Sequence, residues 1–206
     1  MYLYRLRIDA STPQGRRDLS SPYEQHATLV RAFVASEEGT PPRILWRQEA
    51  ASAAEVALLV QSPVPADWQR IEDRAPGYVR AVEEKTYEPS RLARVSDQFV
   101  FRLAANPSAA QEHKRYALLG EEQQQAWLMR QGEHHSFKVL GAERNGEWRI
   151  EARKRGGNRI QIHAVRFDGR LQVEDPEAFA YGLEHGIGRG KAFGLGMLTV
   201  APLDGA

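Results

Sequence analysis

The stretch Tyr2-Leu3-Tyr4-Arg5-Leu6-Arg7-Ile8-Asp9 sets Tyr2, Tyr4, Leu6 and Ile8 against Leu3, Arg5, Arg7 and Asp9. Side chains of an extended chain alternate between faces, so this period of two predicts a half-buried opening β-strand. After a polar stretch, Ser21-Pro22-Tyr23-Glu24 has the form of a helix start. Ser21 is placed to cap, Pro22 suits the first helical position, and Glu24 completes a capping box. Leu29, Val30 and Phe33 then recur at helical spacing until Glu37-Glu38-Gly39 and Pro41-Pro42 stop the helix.

Arg43 to Glu49 and Glu55 to Gln61 read as strands, Ala66 to Asp73 as a short helix, and Tyr78 to Tyr87 as another extended segment. The order is β-α-β-β-α-β, and it begins again with a strand from Gln98 to Ala105 and a helix from Glu121 to Gln131. Phe137 to Glu143 and Glu147 to Arg155 are expected as a hairpin across Asn145-Gly146; Arg159 to Phe167 and Arg170 to Val173 as another across Asp168-Gly169. A helix from Asp175-Pro176 and a strand at Met197 to Val200 close the chain. The fold class is therefore α+β: tandem ferredoxin-like (RRM-like) domains at 1–90 and 97–206, with an extra basic β-hairpin in the second.

Composition limits what such a fold can do. Cysteine is absent, which excludes disulfide scaffolds, thiol nucleophiles and cysteine-based zinc sites. The net charge is only +1, so binding to nucleic acid requires cations gathered on one face. No run of about eighteen apolar residues exists and the start does not read as a signal peptide, so the expected location is the cytoplasm, with no membrane partner. The six histidines, at 26, 113, 134, 135, 163 and 185, form no metal-binding motif, so neither a metal nor another cofactor is expected.

Three clusters are candidates for chemistry. Tyr23 and His26, three residues apart near a helix start, project from neighbouring positions on one face. His26 also continues the stripe of Leu29, Val30 and Phe33, so a histidine at the core edge is the competing reading. The segment Gly186-Ile187-Gly188-Arg189-Gly190-Lys191-Ala192-Phe193-Gly194-Leu195-Gly196 offers repeated backbone freedom together with two cations. Its N–H groups, with Arg189 and Lys191, suit a nucleic-acid backbone; a flexible connection is the alternative. It is not a P-loop, because His185 stands where the first glycine belongs and Ala192 follows Lys191. Arg153, Lys154, Arg155 and Arg159 flank Gly156-Gly157-Asn158 and concentrate positive charge at one end of a β-ribbon. Such a ribbon suits the phosphates of an RNA duplex, or simply protects a sheet edge.

The run RRDLSSPYEQHATL, with Arg16, Arg17, Asp18, Pro22, Tyr23, Glu24 and His26, resembles the N-terminal signature of CasE-type CRISPR endoribonucleases. Gly186-Ile187-Gly188 and Gly194-Leu195-Gly196 are similar to the glycine-rich loop of the wider repeat-associated RNA-binding (RAMP) superfamily. The FRLAANP segment, Lys114-Arg115 and the DGRLQVEDP run agree, whereas about Ser52 to Glu88 carries no matching motif.

The resemblance implies an enzyme that cuts the repeat hairpin of a CRISPR precursor transcript and keeps the mature crRNA within the Cascade complex. It implies His26 as the catalytic histidine with Tyr23 as its partner. RNA binding would fall to Arg153, Lys154, Arg155, Arg159, Gly186, Gly188, Arg189, Gly190, Lys191, Gly194 and Gly196. The implied partners are the repeat RNA, the other Cascade subunits and, only through the assembled complex, target DNA. The implied reaction is attack by the RNA's own 2′-hydroxyl, with no metal. A non-catalytic RNA-binding scaffold on the same fold and a small-molecule enzyme with a deep pocket are the competing functions.

Overall fold

The computed structural model describes residues 1–34, 40–52, 54–112, 114–153 and 159–203, without the side chains of 50, 51, 153 and 159. Two compact units are present: Met1–Tyr87 with Ala192–Gly194, and Glu88–Lys191 with Leu195–Ala206.

The first unit opens with β1 (Tyr2–Asp9), and the alternation holds: Tyr4, Leu6 and Ile8 are buried while Arg5 and Arg7 face out. The polar stretch that follows is itself a helix, α1 (Pro13–Ser20), capped by the Thr12 side chain, which accepts from the Gly15 N–H. Next come α2 (Pro22–Val30), β2 (Leu45–Ala51), β3 (Glu55–Ser62), α3 (Gln69–Glu72) and β4 (Val79–Thr86). The sheet order is β2-β3-β1-β4, with every pairing antiparallel, which is the ferredoxin-like arrangement. Leu29 of α2 and Ile71 of α3 close the core over Tyr4, Leu6, Ile8, Trp46, Val56, Leu58 and Val60.

Two local expectations fail here. Ser21 makes no side-chain cap, because α1 runs directly into it and its N–H is spent on the Asp18 carbonyl; Glu24 pairs instead with Arg17. The helix also ends before Phe33. From Arg31 to Phe33 the N–H groups bond three residues back rather than four, tightening the last turn. The expected stop at Glu37-Glu38-Gly39 lies outside the described residues.

The second unit contains β5 (Gln98–Ala105), a small hairpin of β6 (Ser108–Gln111) and β7 (Lys114–Ala117), α4 (Glu121–His134), β8 (Phe137–Arg153), β9 (Arg159–Val173), α5 (Pro176–His185) and β10 (Leu198–Pro202). Its main sheet has the order β10-β5-β9-β8, the same first, second, third and fourth strand pattern as the first unit. Phe99, Phe101, Leu103, Phe167 and Leu171 point from this sheet toward Trp127 and Leu128 of α4 and Phe179 and Leu183 of α5. Asp175 caps α5 through the N–H groups of Glu177 and Ala178, as the Asp-Pro pair predicts.

The two hairpins expected inside residues 137–173 are absent, because β8 and β9 are each one long strand. Asn145-Gly146 falls at a bulge between Arg144 and Glu147. Asp168 faces across the sheet, accepting from Arg102 at 2.6 Å and from the Asn145 amide at 3.0 Å. Gly169 is glycine for a packing reason: a Cβ there would come within 2.2 Å of the Gly141 carbonyl oxygen and 2.9 Å of the Phe101 ring. The basic hairpin is the prolongation of β8 and β9. From Ala164 back to Arg159, β9 pairs with β8 alone, a two-stranded ribbon roughly 20 Å long at ~3.3 Å per residue.

Candidate RNA-processing site

Tyr23 and His26 lie on successive turns of α2, as their spacing predicts. Tyr23 is 38% exposed, and its ring meets that of Phe193 at a centroid distance of 6.5 Å and an interplanar angle of 38°. Phe193 belongs to Ala192–Gly194, the part of the glycine-rich segment that clusters with the first unit. His26 is half-buried. Its Nδ1 is enclosed and has no hydrogen-bond partner among the described residues, and burial lowers its pKa below the ordinary histidine value. A satisfied core-edge histidine would have that nitrogen paired. The structure instead places an imidazole whose pKa burial lowers and a partly exposed phenol on adjacent turns, groups able to accept a proton and to donate a hydrogen bond.

Behind this pair lies a buried polar cluster. The Asp18 carboxylate accepts from Gln14 Nε2 at 2.8 Å, Thr28 Oγ1 at 3.1 Å and the Tyr78 hydroxyl at 2.8 Å. The Tyr78 oxygen in turn accepts from Gln25 Nε2 at 2.8 Å. Burial raises the Asp18 pKa despite these donors and nearby Arg17, and burial beside Asp18 raises that of Tyr78.

The glycine-rich segment is ordered by its own backbone. Gly186, Gly188, Gly190, Gly194 and Gly196 all have positive φ. The Ile187 N–H donates to the Gly196 carbonyl and the Gly196 N–H to Ala104, so these groups hold the loop rather than face a ligand. Gly194, at φ +76°, lies against the indole of Trp46, where a Cβ would approach within 3.0 Å. Arg189 is exposed, whereas the Lys191 ammonium donates to the Gly188 carbonyl at 2.6 Å and so helps to close the loop. At the ribbon end Arg153 stands opposite Arg159 in register; Lys154 and Arg155 lie outside the described residues. Sequence reasoning gave no role to Phe193, Tyr78 or Trp46. A lone aromatic carries no spacing signal for the ring or carboxylate it will meet.

Among the described residues no group of three or more histidine, aspartate or glutamate side chains is placed to hold a metal ion. Nor, among them, is any helix long and apolar enough to cross a membrane.

The sequence profile of the family described as CRISPR associated protein matches residues 1–202. The chain belongs to this family. Another CRISPR associated protein, the CRISPR-associated endoribonuclease Cse3 of Thermus thermophilus, is 37% identical over 217 residues, spanning 98% of this chain and 100% of that one. The structure of Thermus thermophilus Cse3 bound to an RNA representing a pre-cleavage complex matches with a TM-score of 0.86 at 34% identity, covering 98% of both chains. A chain of a CRISPR RNA-guided surveillance complex in a pre-nicking state matches with a TM-score of 0.71 at 25% identity, over 98% of this chain and 100% of that one. The resemblance read from RRDLSSPYEQHATL and the glycine segment is thus borne out, as is the tandem ferredoxin-like fold.

Proposed function

We propose that this chain is the endoribonuclease that cleaves CRISPR repeat hairpins, using His26 and Tyr23 and no metal ion, and that it retains the product RNA within a surveillance complex. Homology to Cse3 along the whole chain carries the RNA endonuclease activity. The observation that carries the residue assignment is the half-buried His26, its Nδ1 without a partner among the described residues and its pKa lowered by burial, one turn from the partly exposed Tyr23.

In the proposed reaction neutral His26 takes the proton of the RNA 2′-hydroxyl, whose oxygen bonds to the adjacent phosphorus in line with the 5′-oxygen. The P–O5′ bond breaks and the 5′-oxygen takes up a proton from solvent, leaving a 2′,3′-cyclic phosphate and a 5′-hydroxyl. No water is consumed, so no metal-bound hydroxide is called for. Tyr23 donates a hydrogen bond to the phosphate, and cationic side chains offset the charge of the phosphorane. Arg153, Lys154, Arg155 and Arg159, and Arg189 with the glycine segment, bind the RNA backbone. Lys191 contributes by holding that segment closed on Gly188. The working location is the cytoplasm, where precursor transcripts are made, and target DNA is met only through the assembled complex.

The test is incubation of wild type and His26→Ala with a labelled repeat hairpin in EDTA, with a hairpin carrying a 2′-deoxy group at the cut site as control. Cleavage by wild type alone, on the all-ribose RNA alone, is the expected result. Cleavage that EDTA abolishes contradicts metal independence, and tight binding without wild-type cleavage favours a scaffold.

A further inference from the structure

The buried carboxylate of Asp18 has no part in the chemistry proposed above, yet it sits directly behind α2. Gln25 and Thr28, three residues apart, share the buried face of that helix. At 3.6 residues per turn, the Tyr23–His26 pair lies on average about 160° around the helix from them. Thr28 is bonded to Asp18 directly and Gln25 through the Tyr78 hydroxyl, so both anchors of the hidden face end on one carboxylate. The Tyr78 backbone is fixed in turn, because its carbonyl accepts from the Asp9 N–H at the end of β1. Gln14, from α1, bonds both Asp18 and Thr28, and the Arg17–Glu24 ion pair closes α1 onto α2 from outside.

We infer that Asp18 and Tyr78 are positioning residues for cleavage: together they fix the rotation of α2 about its axis, and with it the direction in which Tyr23 and His26 meet the RNA. A hydrophobic face alone leaves such a short helix free to roll by some tens of degrees, because apolar contacts are not directional. Hydrogen bonds of fixed length from Thr28 to Asp18 and from Gln25 to the Tyr78 hydroxyl, itself bonded to Asp18, are directional, and so select one rotation. This inference rests on the assignment of Tyr23 and His26 made above.

The experiment compares wild type, Tyr78→Phe, Thr28→Val and His26→Ala by single-turnover cleavage of the repeat hairpin at saturating protein, and by affinity for the 2′-deoxy hairpin. Melting curves establish that each variant is folded at the assay temperature. Tyr78→Phe is expected to slow cleavage by roughly ten- to a hundredfold, the scale of a small misplacement of reacting groups, with affinity within about twofold of wild type. Thr28→Val, which removes one donor and keeps the volume, is expected to slow it several-fold, and the His26 ring-proton resonance should move in both. A folded Tyr78→Phe that cleaves at the wild-type rate, or one that loses affinity but not rate, overturns the inference. Should Tyr78→Phe fail to fold, Thr28→Val decides the matter by the same two readings. Cleavage that survives in His26→Ala overturns the underlying assignment; loss in His26→Ala with indifference to both other variants overturns only the positioning role.

Discussion

The Tyr23 and Phe193 rings meet at 6.5 Å and 38°, which makes the Ala192–Gly194 part of the glycine-rich segment a neighbour of the helix that carries His26. Tyr23 is partly open to solvent, and Phe193 borders its ring. Phe193→Ala should slow single-turnover cleavage by roughly tenfold through looser placement of the phenol, and Phe193→Leu by less. A Phe193→Ala protein that is folded and cleaves as wild type would show the contact to be incidental.

His26→Ala should lose cleavage by about 10²–10⁴-fold, the usual worth of a positioned acid or base, and still bind the hairpin. Because burial lowers the pKa of His26, the proton-accepting form persists below the ordinary histidine range. The acid limb of the free enzyme's pH–rate profile should therefore fall at a pH below about 6.5. A midpoint above that value would contradict the environment described for the ring.

His135, buried at the end of α4, has its pKa lowered to about 4 by burial, by neighbouring His134 and by Lys191. Its folded pKa lies below the unfolded one, so its protonation favours unfolding. The neutral ring's contribution is intact above about pH 6.5 and is lost as pH falls toward 4. Melting temperature measured across that window should drop for wild type and drop less for His135→Gln.

Gly194→Ala introduces a Cβ at φ +76° within 3.0 Å of the Trp46 indole. Strain of this kind costs about 1–3 kcal/mol, visible as a lower urea midpoint at unchanged slope. No loss of stability would mean that the indole moves aside freely.

Charge reversal at Arg155 or Arg159 should weaken hairpin binding and flatten its dependence on salt, since each lost phosphate contact removes about one unit from the slope. If affinity and slope both stay put, these arginines are not the RNA grip.

What the sequence disclosed was whatever repeats along it. The alternation of Tyr4, Leu6 and Ile8, the Asp175-Pro176 cap and the strand from Gln98 to Ala105 were legible because period and capping are local properties. Asn145-Gly146 and Asp168-Gly169 misled for the same reason. They are strong turn signals taken alone, but here the polar side chains bond across the sheet and Gly169 makes room for Gly141. The α1 helix was missed although Thr12-Pro13 is a fair start, because the residues after it are too polar to show an apolar stripe. Tyr23 and His26 stood out as candidates by spacing and by resemblance. The Asp18–Tyr78 bond joins residues sixty positions apart, and only folding brings them together.

β8 has 17 residues and β9 has 15, and the difference of two is absorbed by two bulges, between Val139 and Gly141 and between Arg144 and Glu147. Each bulge shifts the phase of every residue beyond it by one. Past the second, Ile150 and Ala152 fall on the buried side and Arg149 and Glu151 on the exposed side. Deleting a single residue at either bulge would exchange these two sets. The facing of the ribbon is thus set at its root, so an insertion near Asn145 would exchange the faces of Arg149 and Ile150 without changing either residue.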